Sequence, residues 1–326
     1  MRPLKSLAVI AAALIGTAAA ACVARAQADY PNKPIRLIVG FPPGSSADIA
    51  ARVVGGHMTK LLGQQVVVES KPGAGSSIAA EQVARAEKDG YTLFMLSAAN
   101  VINEQINPKL TFNIARDFAP VAMVNTTAIL LAVNPSIGVN DVKGLIALAK
   151  SKPGALNYGS TGIGNPLHLT MEMIKHATGT DILAVPFRGD AQINAALIAG
   201  DVEIAVVPLA TAVPLIQDGR IRGLAITGAQ RSSTGPDIPT VAESGVPGFA
   251  SNSWQGWFMA AKTPAPIVER IQQETAKALA LPDVRPRLAA MAYEGVGQPP
   301  AEFAAYYKDE IAKFTKVIAD AKIPKQ

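Results

Sequence analysis

Cysteine is nearly missing from this 326-residue chain, which has only Cys22. A disulfide framework, a Cys-rich zinc site and an iron–sulfur cluster are excluded on that ground. Aromatic residues make up 5%, with two Trp, so a sugar site built on stacked rings is not expected. The histidines are His57, His168 and His176, which leaves few candidates for acid–base chemistry. The sequence holds no Gly-x-Ser-x-Gly elbow and no Gly-Lys-Ser/Thr phosphate loop. Charged residues are 17% against 49% hydrophobic. That is too little charge for a disordered chain and enough apolar material for a sizeable core. The length suggests about two domains.

The formal net charge is +5, and part of it sits at the N-terminus. Residues 1–28 read as a secretory signal peptide: Arg2 and Lys5 open it, Leu7 to Ala21 is apolar, and small-residue cleavage sites follow. Cleavage after Ala28 is favoured, because Asp29-Tyr30-Pro31 begins the first ordered segment. Lipid anchoring at Cys22 is not favoured, since Ala19-Ala20-Ala21 lacks the usual branched apolar residue. Without the leader, basic residues fall from 30 to 27 against 25 acids, a net charge of +2. No Lys/Arg cluster remains to track a phosphate backbone, so no nucleic-acid partner is expected. No later run is long and apolar enough to span a membrane. A soluble periplasmic protein is the expectation.

What the remaining chain does have is a repeated order of short strand, small-residue loop and helix. Strands are predicted at Ile35–Val39, Gln65–Glu69, Tyr91–Leu96, Ile129–Val133, Leu156–Tyr158, Ile182–Phe187, Val202–Val207, Leu224–Thr227 and Trp254–Ala260. Between them lie helical patterns, one with Ile49, Val53, Val54, Met58 and Leu61 on its stripe, and Ser76 is placed to cap the next. A helix is expected from near Asn140, and three more at Pro266–Leu281, Asp283–Met291 and Pro300–Ala321. Strands alternating with helices imply an α/β fold with parallel pairing.

Two small-residue loops follow strands and open helices: Phe41-Pro42-Pro43-Gly44-Ser45-Ser46-Ala47-Asp48 and Tyr158-Gly159-Ser160-Thr161-Gly162-Ile163-Gly164-Asn165. A helix N-terminus carries unpaired N–H groups and about +0.5 charge, which suits an anion. Ligands in open α/β sheets sit beyond the carboxyl ends of strands. Two such loops in two α/β sets point to a cleft, although each alone is also an ordinary turn. Asn165-Pro166 opens its helix as N-cap and first-turn proline. The dinucleotide fingerprint fails at its third glycine, where Leu167 stands. Asp48 is read as bracing its loop through a capping box with Ser45.

Other candidates carry two readings each. His168, Glu172 and His176 share one helical face; a polar surface stripe is preferred to a metal site, and no metal or cofactor is expected. His168 lies beside the second loop and either touches ligand or packs there. Arg188 ends a predicted strand and either holds a carboxylate bidentately or pairs with Asp190 or Asp181. Trp254 and Trp257 are read as core or hinge packing.

In order and spacing these residues resemble a known family, the solute receptors of tripartite tricarboxylate transporters, the Bug receptors. The likeness is carried by Tyr30-Pro31-Asn32-Lys33-Pro34-Ile35-Arg36-Leu37-Ile38-Val39, Phe41-Pro42-Pro43-Gly44 with Asp48, and Val68-Glu69-Ser70-Lys71-Pro72-Gly73-Ala74-Gly75. It continues through Asp89-Gly90-Tyr91-Thr92-Leu93, Asp117-Phe118-Ala119-Pro120-Val121, Tyr158-Gly159-Ser160-Thr161-Gly162 with His168, and Val185-Pro186-Phe187-Arg188-Gly189. It closes with Ile238-Pro239-Thr240-Val241-Ala242-Glu243-Ser244-Gly245 and Trp254.

The resemblance implies a type II periplasmic binding-protein fold: two lobes with parallel-rich sheets, a ligand cleft between them and two crossing strands. Lobe one would comprise 29–128 plus 254–326, and lobe two 129–253. It implies a small organic carboxylate held by loop N–H groups, membrane transporter subunits as partners, and a monomer that is not an enzyme. The ligand-binding candidates are Pro42, Pro43, Gly44, Ser45, Ser46, Ser97 and Asn100 in the first lobe. In the second they are Ser160, Thr161, Gly162, Gly164, Asn165, His168 and Arg188. Ser70 stands where many members have asparagine, and Ser45-Ser46 where a second glycine is common, which leaves ligand size and identity open. The alternatives are a receptor reporting to a membrane sensor, and an exported hydrolase pairing His168 with Ser160 or Thr161.

Overall fold

The computed structural model describes residues 30–291 and 293–325; the leader and Cys22 lie outside the described residues. The chain alternates β1 (Ile35–Val39), α1 (Ser46–Leu62), β2 (Val66–Ser70), α2 (Ser77–Ala84), β3 (Thr92–Ser97) and α3 (Ala98–Ile106). A single turn, α4 (Ile114–Asp117), leads into the long strand β4 (Phe118–Thr127). Only Ala128 separates β4 from β5 (Ile129–Val133). The second set follows as α5 (Val142–Ser151), β6 (Asn157–Ser160), α6 (Pro166–Thr178), β7 (Leu183–Pro186), α7 (Asp190–Ala199), β8 (Ile204–Pro208), α8 (Leu209–Gln217) and β9 (Arg222–Ile226). The chain then returns in β10 (Ser253–Ala260) and ends with α9 (Ala265–Ala280), α10 (Val284–Ala289), β11 (Glu294–Gly295) and α11 (Pro300–Asp320).

These strands form two sheets, ordered β11-β4-β10-β3-β1-β2 and β7-β6-β8-β5-β9. Strands joined by helical crossovers pair in parallel, as the alternation predicts: β1 with β2 and β3, and β6 with β7 and β8. The sheets are nevertheless mixed. β10 runs antiparallel to both β3 and β4, and β5 antiparallel to both β8 and β9. The reason is topological. The chain enters the second sheet through β4–β5 and re-enters the first through β10, so the strands at the crossing run against their neighbours. The Ser253↔Thr127 pair marks the end of the β4/β10 ladder next to the second sheet.

Each sheet is covered on both faces, so its central strands read as continuous apolar runs. In β5 every residue is buried, and the alternation of strand side chains sends Leu131 to one face and Leu130 to the other. In the first sheet Leu37, Met58 and Trp257 fill one layer, and Phe94, Trp254 and Phe303 the other. Trp254 and Trp257 are fully buried in β10, consistent with core packing. The Trp254 indole N–H donates to Glu310 of α11 at 3.0 Å.

Two local expectations change. In α1 the buried stripe is Ala47, Ala50, Ala51, Val54, Met58 and Leu62, while Ile49 is 41% exposed. Small residues set this rotation: a Cβ on Gly55 would lie 3.2 Å from Val66, so the helix sits close on the sheet. Ser76 occupies the N-cap position of α2 with a left-handed φ of 73° and makes no side-chain cap. Its hydroxyl turns towards Gly40 instead, where a Cβ would stand 1.5 Å away.

Candidate functional site

A cavity of about 330 Å³ lies between the two sheets. The first-sheet side contributes Phe41, Ser46, Ser97, Ala99, Gln255 and Tyr293. The other side contributes Asn165, Pro166, Leu167, Asp190, Pro208 and Thr211, and the crossing adds Thr127, Ile129 and Ser253. Set against the secondary structure, this lining has a pattern. Capping or first-turn residues of five helices, α1, α3, α6, α7 and α8, all reach the cavity. Each such end offers unpaired N–H groups and a partial positive charge. Among the described residues no Lys, Arg or His lines it, and Asp190 is its one charged group.

The loop after β1 is braced from below. Ser45 is the N-cap of α1, its hydroxyl accepting from the Asp48 N–H at 3.3 Å. The reciprocal arm falls one residue away from the expected box: Asp48 accepts from the Gly44 N–H at 3.0 Å, while the Ser45 N–H donates to the Pro42 carbonyl. Asp48 also receives two hydrogen bonds from Arg52 and one from the Ser70 hydroxyl at 2.7 Å. Burial pushes its carboxyl up, but Arg52, the Gly44 N–H and Ser70 outweigh it and hold the pKa at about 2. Asp48 therefore stays ionised and fixes the loop. Ser46 lines the cavity, whereas Pro42, Pro43 and Gly44 stand exposed outside its lining and Ser45 is spent on the cap.

At the end of β3, Ser97 faces the cavity and Asn100 turns inward. The Asn100 side-chain oxygen accepts from both the Ser97 N–H and its hydroxyl, each at 3.0 Å. Asn100 thus shapes the start of α3 rather than facing a ligand. In the second loop, Asn165 lines the cavity and caps α6 by accepting from the Leu167 N–H at 2.9 Å. Ser160 is buried and accepts from the Gly162 N–H at 3.3 Å, and the Thr161 hydroxyl is buried without a partner. Gly162 and Gly164 carry the turn with φ of 121° and 79°.

His168 is buried behind this loop, its ring 6.4 Å from that of Tyr158 and outside the cavity lining. Burial lowers its pKa, so it is held neutral. Its Nδ1 has no partner, and it makes no hydrogen bond to Ser160 or Thr161, the contact a hydrolytic pair requires. Glu172 is engaged by the Tyr158 hydroxyl and Lys175, and His176 by Asp320, so the helical stripe is spent on ion pairs and packing. Among the described residues no group of three His, Cys, Asp or Glu side chains could hold a metal ion. Arg188 is exposed and outside the lining; its N–H donates to Gln192 rather than its side chain pairing with Asp190 or Asp181.

Sequence reasoning missed Gln255, Tyr293, Thr127 and Thr211, and it considered Asp190 only as one of two possible partners of Arg188, with Asp181. Gln255 donates to the Tyr293 hydroxyl at 3.1 Å and accepts from Asn125 at 3.1 Å, which links the crossing strands to the cleft wall. Burial raises the Tyr293 pKa, with Gln255 and Ser46 opposing it. Asp190 is raised by burial alone.

Comparison with known proteins agrees with this architecture. Residues 50–323 match the model of the tripartite tricarboxylate transporter family receptor. The chain is similar to the protein BugT of Bordetella pertussis, at 31% identity with 93% of this chain and 94% of the relative covered. Among solved structures it is similar to Rpa4515 of R. palustris with adipate, at 32% identity and a TM-score of 0.73, covering 91% of this chain and 99% of the other. It is also similar to MatC of Rhodopseudomonas palustris with bound malate, at 29% identity and a TM-score of 0.70, covering 89% and 100%. With its two sheets and the cleft between them, the chain belongs to the tripartite tricarboxylate transporter receptor family and has the two-lobed α/β fold of periplasmic binding proteins.

Proposed function

We propose that this protein is a periplasmic receptor that captures a small organic carboxylate between its lobes and delivers it to a membrane transporter. The observation that carries this reading is the convergence of the N-termini of α1, α3, α6 and α8 on a cavity with no lining cation among the described residues, the start of α7 carrying its own Asp190 carboxylate. Backbone and hydroxyl donors suit a carboxylate, and without a full opposing charge they hold it reversibly, as a delivery protein requires. The adipate and malate carried by the two similar structures are carboxylates of a size that a cavity of about 330 Å³ accommodates. Closure would move residues 129–253 as one lobe against 29–128 plus 254–326, and the closed form would be the one the transporter reads.

The test uses purified residues 29–326 and follows melting temperature against mono-, di- and tricarboxylates, amino acids and aromatic acids. A ligand at about 100 times its Kd stabilises the folded state by roughly 2.7 kcal/mol. A shift with one carboxylate class, accompanied by a smaller scattering radius, supports the proposal. No shift with any acid in the panel overturns it.

A further inference from the structure

Asp190 sits oddly in an anion-binding cleft. It is the first residue of α7, lines the cavity, and is the only charged side chain among the described residues that does so. A carboxylate in the first turn is favourable to its own helix, yet no protein group explains this one further. The preceding Gly189 makes no side-chain cap, and Arg188, two residues away, is exposed and directs its N–H to Gln192. Compare Asp48, in the first turn of α1: that carboxylate is saturated by Gly44, Arg52 and Ser70. Burial alone shifts Asp190, upward, with no opposing hydrogen bond or cation. A partly desolvated carboxylate without a partner is costly, and it repels a ligand that is anionic at every end.

We infer that the ligand carries a cationic amino group as well as a carboxylate, and that Asp190 receives that amino group while the neutral donors around Ser46, Ser97 and Asn165 hold the carboxylate. This deepens the receptor reading and rests on it. The cleft then has two chemically distinct kinds of group. The lining offers hydroxyls and helix N–H groups with partial positive charge, and at Asp190 a carboxylate. A zwitterionic amino acid satisfies both, whereas a plain dicarboxylate satisfies the first and opposes the second. Formation of a charge-assisted hydrogen bond in place of an unpaired carboxylate makes the discrimination large.

The test is calorimetric titration of residues 29–326 with matched probes: adipate, 6-aminohexanoate and hexanoate, which share a six-carbon chain, and malate with aspartate. The inference expects the amino member to bind at least tenfold more tightly than its plain counterpart in the wild type. In Asp190→Asn the order should reverse, with 6-aminohexanoate or aspartate losing at least tenfold and adipate or malate gaining. Asp190→Ser, which also suits a helix start, gives the same reading if the asparagine variant folds poorly, and the wild-type comparison needs no variant at all. Adipate or malate binding as tightly as its amino partner overturns the inference while leaving the receptor reading intact. So does an amino preference that survives both substitutions. Binding of none of these probes, together with no shift across the wider acid panel, overturns both.

Discussion

Gly164 and Ile106 meet where the loop before α6 packs on the end of α3. Gly164 ends the loop that opens α6 in the second lobe, and Ile106 ends α3 in the first. A Cβ built on Gly164 would lie 2.5 Å from Ile106 Cδ1, and Ile106 is buried among its neighbours, which leaves that side chain little room to turn aside. Gly164→Ala should therefore wedge the lobes apart and weaken carboxylate binding at least tenfold. Its φ of 79° adds a left-handed cost of about 1 kcal/mol. Gly138→Ala separates the two effects, because Gly138 has a φ of 70° with nothing near its Cβ position. That variant should lose similar stability and bind within twofold of wild type. Ile106→Val removes Cδ1 itself, and adding it to Gly164→Ala should restore affinity. Equal affinity losses in the two alanine variants would show that strain, not contact, is responsible.

Asp48 makes stability dependent on acid. Its carboxyl is held at about 2 in the folded protein, below its ordinary value of 3.8. A depressed folded pKa means the contribution is present above about pH 4 and is lost as pH falls through 2. The shift corresponds to about 2 kcal/mol at neutral pH. Asp48→Asn should melt lower than wild type at pH 7, and the two curves should converge near pH 2. Denaturant midpoints measured every half unit from pH 7 to 2 check this; a constant gap across that range contradicts it.

Which of these residues were legible in the sequence follows from how local their signal is. β1, β3, β5 and β10 stand out as short runs of β-branched and aromatic residues between turn signals. β4 does not, because Pro120 interrupts it and Asn125-Thr126-Thr127 ends it in polar residues. α3 is hidden because it starts directly on the last residue of β3, with no loop between. α8 is masked by Pro214 and an apolar surface all round. The two loops of the cleft were visible, since glycine, serine and a capping asparagine are chemical signals within a few residues. Gln255 and Tyr293 were not. One comes from the returning strand and the other from the segment after α10, and only the topology brings them to Ser46 and Ser97. His168 read as a ligand neighbour by proximity in sequence, but the helix turns it inward against Tyr158.

Gly256 should be as intolerant of a side chain as Gly164, for a reason of core packing. It lies in β10 beside a register irregularity, with α11 packed over it. A Cβ there would stand 2.4 Å from Phe303 Cζ and 2.9 Å from the Ala122 carbonyl oxygen. The Phe303 ring has no room to move: it is fully buried, with Phe258 at 5.2 Å and Trp254 at 5.7 Å between ring centroids. The backbone of β4 on the other side cannot yield without breaking the ladder. Gly256→Ala should destabilise by about 1–3 kcal/mol, read as a lower urea midpoint with unchanged slope. An unchanged midpoint would mean that β10 and α11 separate more easily than their packing indicates.

The absence of lining cations among the described residues predicts how binding responds to salt. A carboxylate held by Lys or Arg at the surface loses affinity as ions screen the pair. Here the donors are helix N–H groups at the starts of α1, α3 and α6, in the cavity between the two sheets. Screening acts weakly on short-range dipoles inside a cavity, so the Kd for a bound carboxylate should change less than about twofold between 50 and 500 mM salt. Arg188 is the nearest candidate for an ionic grip that the sequence offered, and it points to solvent outside the lining. Arg188→Ala should therefore leave affinity within about twofold and leave the salt response flat. A steep salt dependence that Arg188→Ala abolishes would instead place the guanidinium on the ligand and require the loop after β7 to swing inward on binding.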